Sequence, residues 1–301
     1  MPYAITPELR TVADHVRAAA SAMNRAGLVF GHGTDNAIDE ALALVLHALA
    51  LDHELPDWVL GTRVSAAEAE AIAGLVGRRI DTRKPAAYLT GTMRFCGLDF
   101  AVDERVLVPR SPIAELIQAG FAPWLEDRPV DRILDLCCGS GCIGIACAMA
   151  FPDAAVDLSD RSPDALAVAR ANVARHGLEG RVAVFESDLF AQLPAARYEL
   201  IVTNPPYVAD AVVDALPAEY HAEPRMGLVA GDDGLDFARR ILAAAPDWLA
   251  DDGILVIEVG LSLPAFARAF RDLAWVEAEF ERGGEGVVVI ERAALDQWRD
   301  G

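Results

Sequence analysis

Arg132-Ile133-Leu134-Asp135-Leu136-Cys137-Cys138-Gly139-Ser140-Gly141-Cys142-Ile143-Gly144 is the stretch on which the fold of this chain turns. An apolar run of this length, closed by small turn-forming residues, reads as a buried parallel strand. The glycines let a ligand approach the backbone at the mouth of a following helix, where N–H groups lack partners. That helix runs through Ile145 to Ala150. Strand-like segments then recur at 155–158, 182–185, 200–202 and 253–258, with helical segments at 165–176 and 235–245 between them. Segments 275–280 and 286–290 read as a closing antiparallel pair joined through glycines. Strands alternating with helices predict an α/β fold with a doubly wound, mostly parallel sheet, whose ligands sit at the strands' C-terminal ends.

The informative residues collect at those ends. Asp160 closes the second strand at the offset where a nucleoside-binding fold places a ribose-binding carboxylate. Asp188, after the third strand, can accept from an exocyclic amine such as adenine N6. After the fourth strand comes Asn204-Pro205-Pro206-Tyr207. Two prolines end the strand and stiffen a rim that offers an amide side chain, free carbonyls and an aromatic plane. Such a set suits a planar NH2 group, whose hydrogens it can accept while a ring covers one face. Gly139-x-Gly141-x-x-Gly144 also fits a dinucleotide fingerprint, so a nicotinamide enzyme is a rival. Hydride transfer gives the Asn-Pro-Pro-Tyr rim no role, whereas an amine methyl acceptor needs one. The cysteines at 137, 138, 142 and 147 lack the paired spacing of a zinc site and read as small helix-packing residues, so no metal is expected.

Composition narrows the partners. The chain has 301 residues, 53% of them hydrophobic, enough for a sizeable core. A net charge of −20 and a pI near 4.6 repel phosphate backbones and attract a basic protein. Direct nucleic-acid binding is therefore not expected. An odd set of five cysteines does not suit a disulfide framework. No stretch reaches the roughly 18 apolar residues of a membrane span. A cytoplasmic protein with no membrane partner is the expectation.

Residues before about Tyr88 read as helices. One apolar face contains Leu9, Val12 and Val16, and a second contains Ile38, Leu42, Val45, Leu46 and Leu49. Ser65 with Glu68 forms the capping box of a third helix. His32, between glycines, reads as a loop histidine. Around Cys96-Gly97 the alternation predicts a β-hairpin, in which Phe100 is positioned to wall a pocket. Arg110, held between Pro109 and Pro112, is a candidate substrate contact.

Asp135-Leu136 with Gly139-Ser140-Gly141, then Asp160, Ser187-Asp188 and Asn204-Pro205-Pro206-Tyr207, resemble the class I S-adenosylmethionine-dependent methyltransferases of the N5-glutamine family. The resemblance covers nearly the whole chain. Phe30-Gly31-His32-Gly33-Thr34-Asp35-Asn36, Phe95-Cys96-Gly97, the run from Asp103 through Pro109-Arg110-Ser111-Pro112, and Glu219-Tyr220-His221-Ala222-Glu223-Pro224 resemble its ribosomal branch. Members of that branch modify a glutamine of large-subunit ribosomal protein number three; a sister branch modifies release factors. The resemblance implies a seven-stranded sheet, a helical recognition domain at 1–90, a hairpin connector at 91–110 and a methyl-transfer domain at 111–301. It implies S-adenosylmethionine as cofactor, held by Asp135, Cys137, Cys138, Gly139, Ser140, Gly141, Asp160, Asp188, Leu189 and Asn204. Cys137-Cys138 stands where the wider family often carries Gly-Thr, and there only the backbone is needed. Leu189 stands where the release-factor branch places an aromatic residue. Asn204, Pro205, Pro206 and Tyr207 are the expected catalytic set, which binds substrate together with Phe100 and Arg110. Two alternatives stand beside this: N5-glutamine methylation of peptide-chain release factors, and amino-methylation of a nucleic-acid base, since the same rim could serve adenine N6 or guanine N2.

Overall fold

A computed structural model describes residue 3 and residues 5–301. The chain divides into two compact units. The first runs to Met93 and takes in Pro217–Ala222, and the second comprises Arg94–Leu216 and Glu223–Gly301.

The first unit is helical, with α1 (Val12–Arg25), α2 (Ala37–Ala48), α3 (Ala66–Thr82) and the short α4 (Ala86–Thr90). Capping boxes start two of them, Thr11 with Asp14 and Ser65 with Glu68, so orphan N–H groups at both N-termini are satisfied. Met23, Leu44, Val45, Leu46, Ile72 and Val76 form the core. The face expected for α2 is only partly right. Ala37, Glu40, Ala41 and Leu44 join Val45 and Leu46 inside, while Ile38 is 52% exposed. The reason is a buried charge. Glu40 Oε1 accepts from Arg79 Nε at 2.7 Å, and both side chains are all but inaccessible. Glu219, from Pro217–Ala222, adds a second buried carboxylate, accepting from Val29 N–H at 3.1 Å and lying 2.9 Å from Arg83 Nη2. Removing one partner of such a buried pair costs about 3–5 kcal/mol. His32 is buried too, its ring 4.4 Å from that of Tyr220. A loop-histidine reading missed this.

A hairpin follows, β1 (Thr92–Phe95) and β2 (Leu98–Ala101), the second unit starting within β1, and its turn residues Cys96 and Gly97 both have positive φ. That is the twist a two-residue hairpin turn requires. Then follow α5 (Ile113–Gln118), β3 (Arg132–Leu136), α6 (Cys142–Ala150), β4 (Ala155–Asp160), α7 (Pro163–Arg175), β5 (Val182–Glu186) and β6 (Tyr198–Thr203). The chain ends with α8 (Asp210–Val213), α9 (Asp236–Ala244), β7 (Leu249–Glu258), α10 (Leu263–Ala269), β8 (Val276–Glu277), β9 (Val287–Glu291) and α11 (Arg292–Asp300). Seven strands form one sheet in the order β5-β4-β3-β6-β7-β9-β8, parallel except that β9 runs against β7 and β8. Strands Ile133–Leu136, Leu200–Val202 and Ile254–Ile257 are buried on both faces, hence their aliphatic runs, broken only by Asp135. β7 starts four residues before the expected Gly253, because Asp251 and Asp252 hide its first turn behind surface charge. Strand order reverses between β3 and β6, and a crevice opens there at their C-terminal ends.

Candidate active site

The loop after β3 is shaped by its own backbone. Cys138 N–H donates to Ser159 O (3.0 Å), and Gly141 N–H to Cys138 O (2.8 Å). Gly139 N–H donates to Asp160 Oδ2 (3.0 Å) while Ser162 N–H donates to Asp160 Oδ1 (2.9 Å). Burial raises the Asp160 carboxyl, and these backbone donors partly offset that. Gly144 must be glycine: a Cβ there would stand 2.2 Å from a Leu158 methyl and 2.9 Å from Asp135 Cβ. Its N–H donates to Asp135 Oδ2 at 2.8 Å. Burial pushes the Asp135 carboxyl up to about 8.

In front of this loop lies a cavity of about 920 Å³, its open mouth included. Its wall contains Cys137, Cys138, Gly139 and Ser140, then Asp160, Asp188, Leu189, Asn204, Pro206 and Arg110. Ten residues expected at the site are thus brought together. Five are not in the wall. Asp135 supports the loop from β3 through its bond to Gly144, and Gly141 closes the loop as the N-cap of α6. Phe100 is wholly buried, its ring 5.1 Å from His176 and 6.4 Å from Phe95, so it fills the hairpin's core instead of walling the pocket. Pro205 is buried, and the Tyr207 ring rests on Gly260, where a Cβ would come within 2.6 Å of it.

The rim is held from several directions. Thr203 Oγ1 donates to Leu136 O (2.8 Å), tying the end of β6 to that of β3. Ser262 Oγ donates to Tyr207 O at 2.6 Å, and Tyr207 Oη donates to Glu258 Oε1 at 3.1 Å. The other Glu258 oxygen accepts from Ser111 Oγ at 2.6 Å. Arg110 meets Glu223 with two bonds, at 2.5 and 2.6 Å, and so enters the wall already paired. Asn204 is half-buried, and among the described residues its carboxamide makes no hydrogen bond to the protein. Burial pushes the Cys142 thiol up to about 12, which leaves it unreactive.

Comparison with known proteins places these observations. A family model described as "Methyltransferase small domain" matches residues 120–219. A Bordetella pertussis protein named ribosomal protein uL3 glutamine methyltransferase is 48% identical over 290 residues, covering 96% of this chain and 97% of that protein. One of the same name from Xanthomonas campestris pv. campestris is 51% identical over 293 residues, covering 97% and 94%. The chain belongs to the ribosomal protein uL3 glutamine methyltransferase family. Among solved structures, the hMettl16 catalytic domain in complex with a MAT2A 3'UTR hairpin shares the fold at TM-score 0.50 and 18% identity. That match covers 76% of this chain and 84% of the other.

Three side chains of this uL3 glutamine methyltransferase family member at the site escaped the sequence reading. Asn172, on the inner face of α7, is fully buried and joins Ala101 to the glycine loop, donating to Ser140 O at 2.9 Å. Its signal was a lone amide among Ala165, Val168, Ala169 and Val173. Phe237 contributes the only aromatic ring in the cavity wall among the described residues, with the Arg161 guanidinium 5.8 Å from its centre. Arg240, 2.7 Å from Asp188 Oδ2, holds that carboxyl below its ordinary range. One Asp188 oxygen is therefore engaged before any ligand arrives.

Proposed function

We propose that this protein transfers a methyl group from S-adenosylmethionine to the side-chain amide nitrogen of a glutamine in ribosomal protein uL3. The observation that carries this is Asn204, unpaired in the cavity wall at the strand-order switch, in a chain akin to uL3 methyltransferases over nearly its whole length. The residues present fit the cofactor. Above Gly139, at φ +54, no atom lies within 4 Å of where a Cβ would stand, so the backbone there is open to a ligand. Asp160 retains lone pairs for ribose hydroxyls, Asp188 retains one oxygen for an exocyclic amine, and Leu189 with Phe237 offers apolar walls.

When bound, S-adenosylmethionine supplies an electrophilic methyl group on a sulfonium sulfur. A carboxamide nitrogen is a poor nucleophile because its lone pair is delocalised into the carbonyl. The Asn204 side-chain oxygen and the Pro205 carbonyl each accept one hydrogen of the glutamine NH2 and so aim that nitrogen into the cavity. As positive charge grows on nitrogen, these fixed acceptors stabilise it. Holding the two reacting groups in line supplies much of the remaining acceleration. Tyr207 braces the rim from behind, and Pro206 stiffens it. The proton is lost to water afterwards.

The acidic surface suits a basic ribosomal protein and disfavours direct nucleic-acid contact. Among the described residues no helix is long and apolar enough to cross a membrane. The test is transfer of radiolabelled methyl groups into uL3, peptide-chain release factors and RNA side by side. Label in uL3, lost when its glutamines are replaced, is expected. Label confined to RNA or to release factors would overturn the reading.

A further inference from the structure

Glu258 is a buried carboxylate to which the reaction above gives no task, yet it bonds both to the rim residue Tyr207 and to Ser111 of the cavity wall. It ends β7, one residue past Ile257, which pairs with Thr203 on β6, so it stands level with Asn204. Its two oxygens are divided between partners distant in sequence. Oε1 accepts from Tyr207, the last residue of the rim, and Oε2 accepts from Ser111, which lines the cavity. Ser111 Oγ in turn accepts from Ile113 N–H at 3.2 Å, so its own hydrogen is directed at Glu258. Nothing else about Tyr207 leaves it freedom: its ring lies against Gly260 and its carbonyl accepts from Ser262.

Resting on the methyl-transfer reading, we propose that Glu258 is a positioning residue: its carboxylate clamps Tyr207 and Ser111 together and thereby holds Asn204 and Pro205 in their acceptor pose, and protonation releases the clamp. Only the ionised form presents a full acceptor at each of its two oxygens. The neutral acid must donate through one oxygen, and one of the two bonds is then reversed or lost. The groups that face Glu258 are Tyr207, Ser111 and the Arg110–Glu223 pair. Burial dominates, and the Ser111 and Tyr207 bonds and the Arg110 charge only partly offset it, so the carboxyl is pushed up to about 7. The clamp therefore titrates near neutral pH.

The experiment is a pH profile of kcat and of both KM values for the wild type, Glu258→Gln, Tyr207→Phe and Ser111→Ala. In the wild type kcat should fall on the acid side with an apparent pKa near 7. Glu258→Gln should lower kcat by roughly tenfold to a hundredfold, flatten the acid limb and leave the methyl donor's KM unchanged. Tyr207→Phe and Ser111→Ala each remove a bond that favours the carboxylate, so the limb should move to higher pH. An acid limb that survives in Glu258→Gln, or stays put in both hydroxyl variants, overturns the proposal. Those two variants decide the matter even if Glu258→Gln fails to fold. Carbon NMR of the Glu258 carboxyl and Tyr207 ring gives a readout independent of turnover. A Tyr207 signal that ignores the Glu258 titration overturns the clamp, whereas a responsive signal without methylation of uL3 overturns only the methyl-transfer reading.

Discussion

On the cofactor side of the cavity the loop after β3 takes its shape from near neighbours, with Gly139 bonded to Asp160 21 residues on and Gly144 to Asp135 nine residues back. On the acceptor side the rim is fixed by side chains far apart in sequence. Ser111 and Glu258 are separated by 147 residues, Arg110 and Glu223 by 113, and Tyr207 and Ser262 by 55. A binding loop built from backbone donors tolerates changes of side chain. A rim that must aim one nitrogen is held by specific hydroxyls and carboxylates and tolerates few. Mutations on the two sides should therefore fail differently, one in affinity and the other in turnover.

Asn204→Ala tests this contrast most severely. Turnover should fall by roughly 10²–10³, the scale of one lost positioned polar group, with binding of S-adenosylhomocysteine little changed. Steady-state kinetics with calorimetry would show it, and a loss confined to cofactor affinity would erase the distinction. Asp160→Ala is the converse. Losing a charged acceptor is worth about 1.5–3 kcal/mol, so cofactor affinity should drop by roughly tenfold to a hundredfold while turnover at saturation holds. Phe237→Leu keeps the apolar bulk and removes the ring. If the ring stacks on the adenine, calorimetry should find affinity lower by about threefold to tenfold; no change would remove Phe237 from the site.

Asp135→Asn should have the smallest effect on activity, its signature being stability measured against pH. The carboxyl of Asp135 is raised from 3.8 to about 8 on folding, so the native state binds its proton more tightly than the unfolded chain does. Its contribution to stability is complete below about pH 4, declines as pH rises, and is lost above about pH 8. Thermal melts across that window should show the wild-type Tm falling relative to the variant, whose amide does not titrate. Parallel curves would mean that Asp135 is ionised in the folded protein.

The same contrast explains what the sequence made legible. β3, β6 and β7, the glycine loop, Asp160 and the rim are written in contiguous residues, and pattern alone locates them. Periodicity failed where a charge was buried: it turned α2 toward Ile38 because Glu40 looks like a surface residue until Arg79 is seen beside it. Phe100 was misread for the opposite reason, since an aromatic residue near a pocket looks like lining until His176 and Phe95 are found enclosing it. The Ser111–Glu258 bond depends on tertiary pairing and leaves no local trace, while Asn172 leaves only a lone amide on an apolar helix face, which does not say what it binds.

Pro217–Ala222 carries a practical consequence for anyone dissecting this protein. Because Glu219 supplies the counter-charge inside a unit otherwise drawn from the start of the chain, a fragment cut at Met93 would be born with a hole where its own acid belongs. Arg83 and the Val29 amide would face that gap. Such a fragment should be insoluble or molten unless the missing hexapeptide is grafted back, and failure to express it would say nothing about whether the helices fold autonomously.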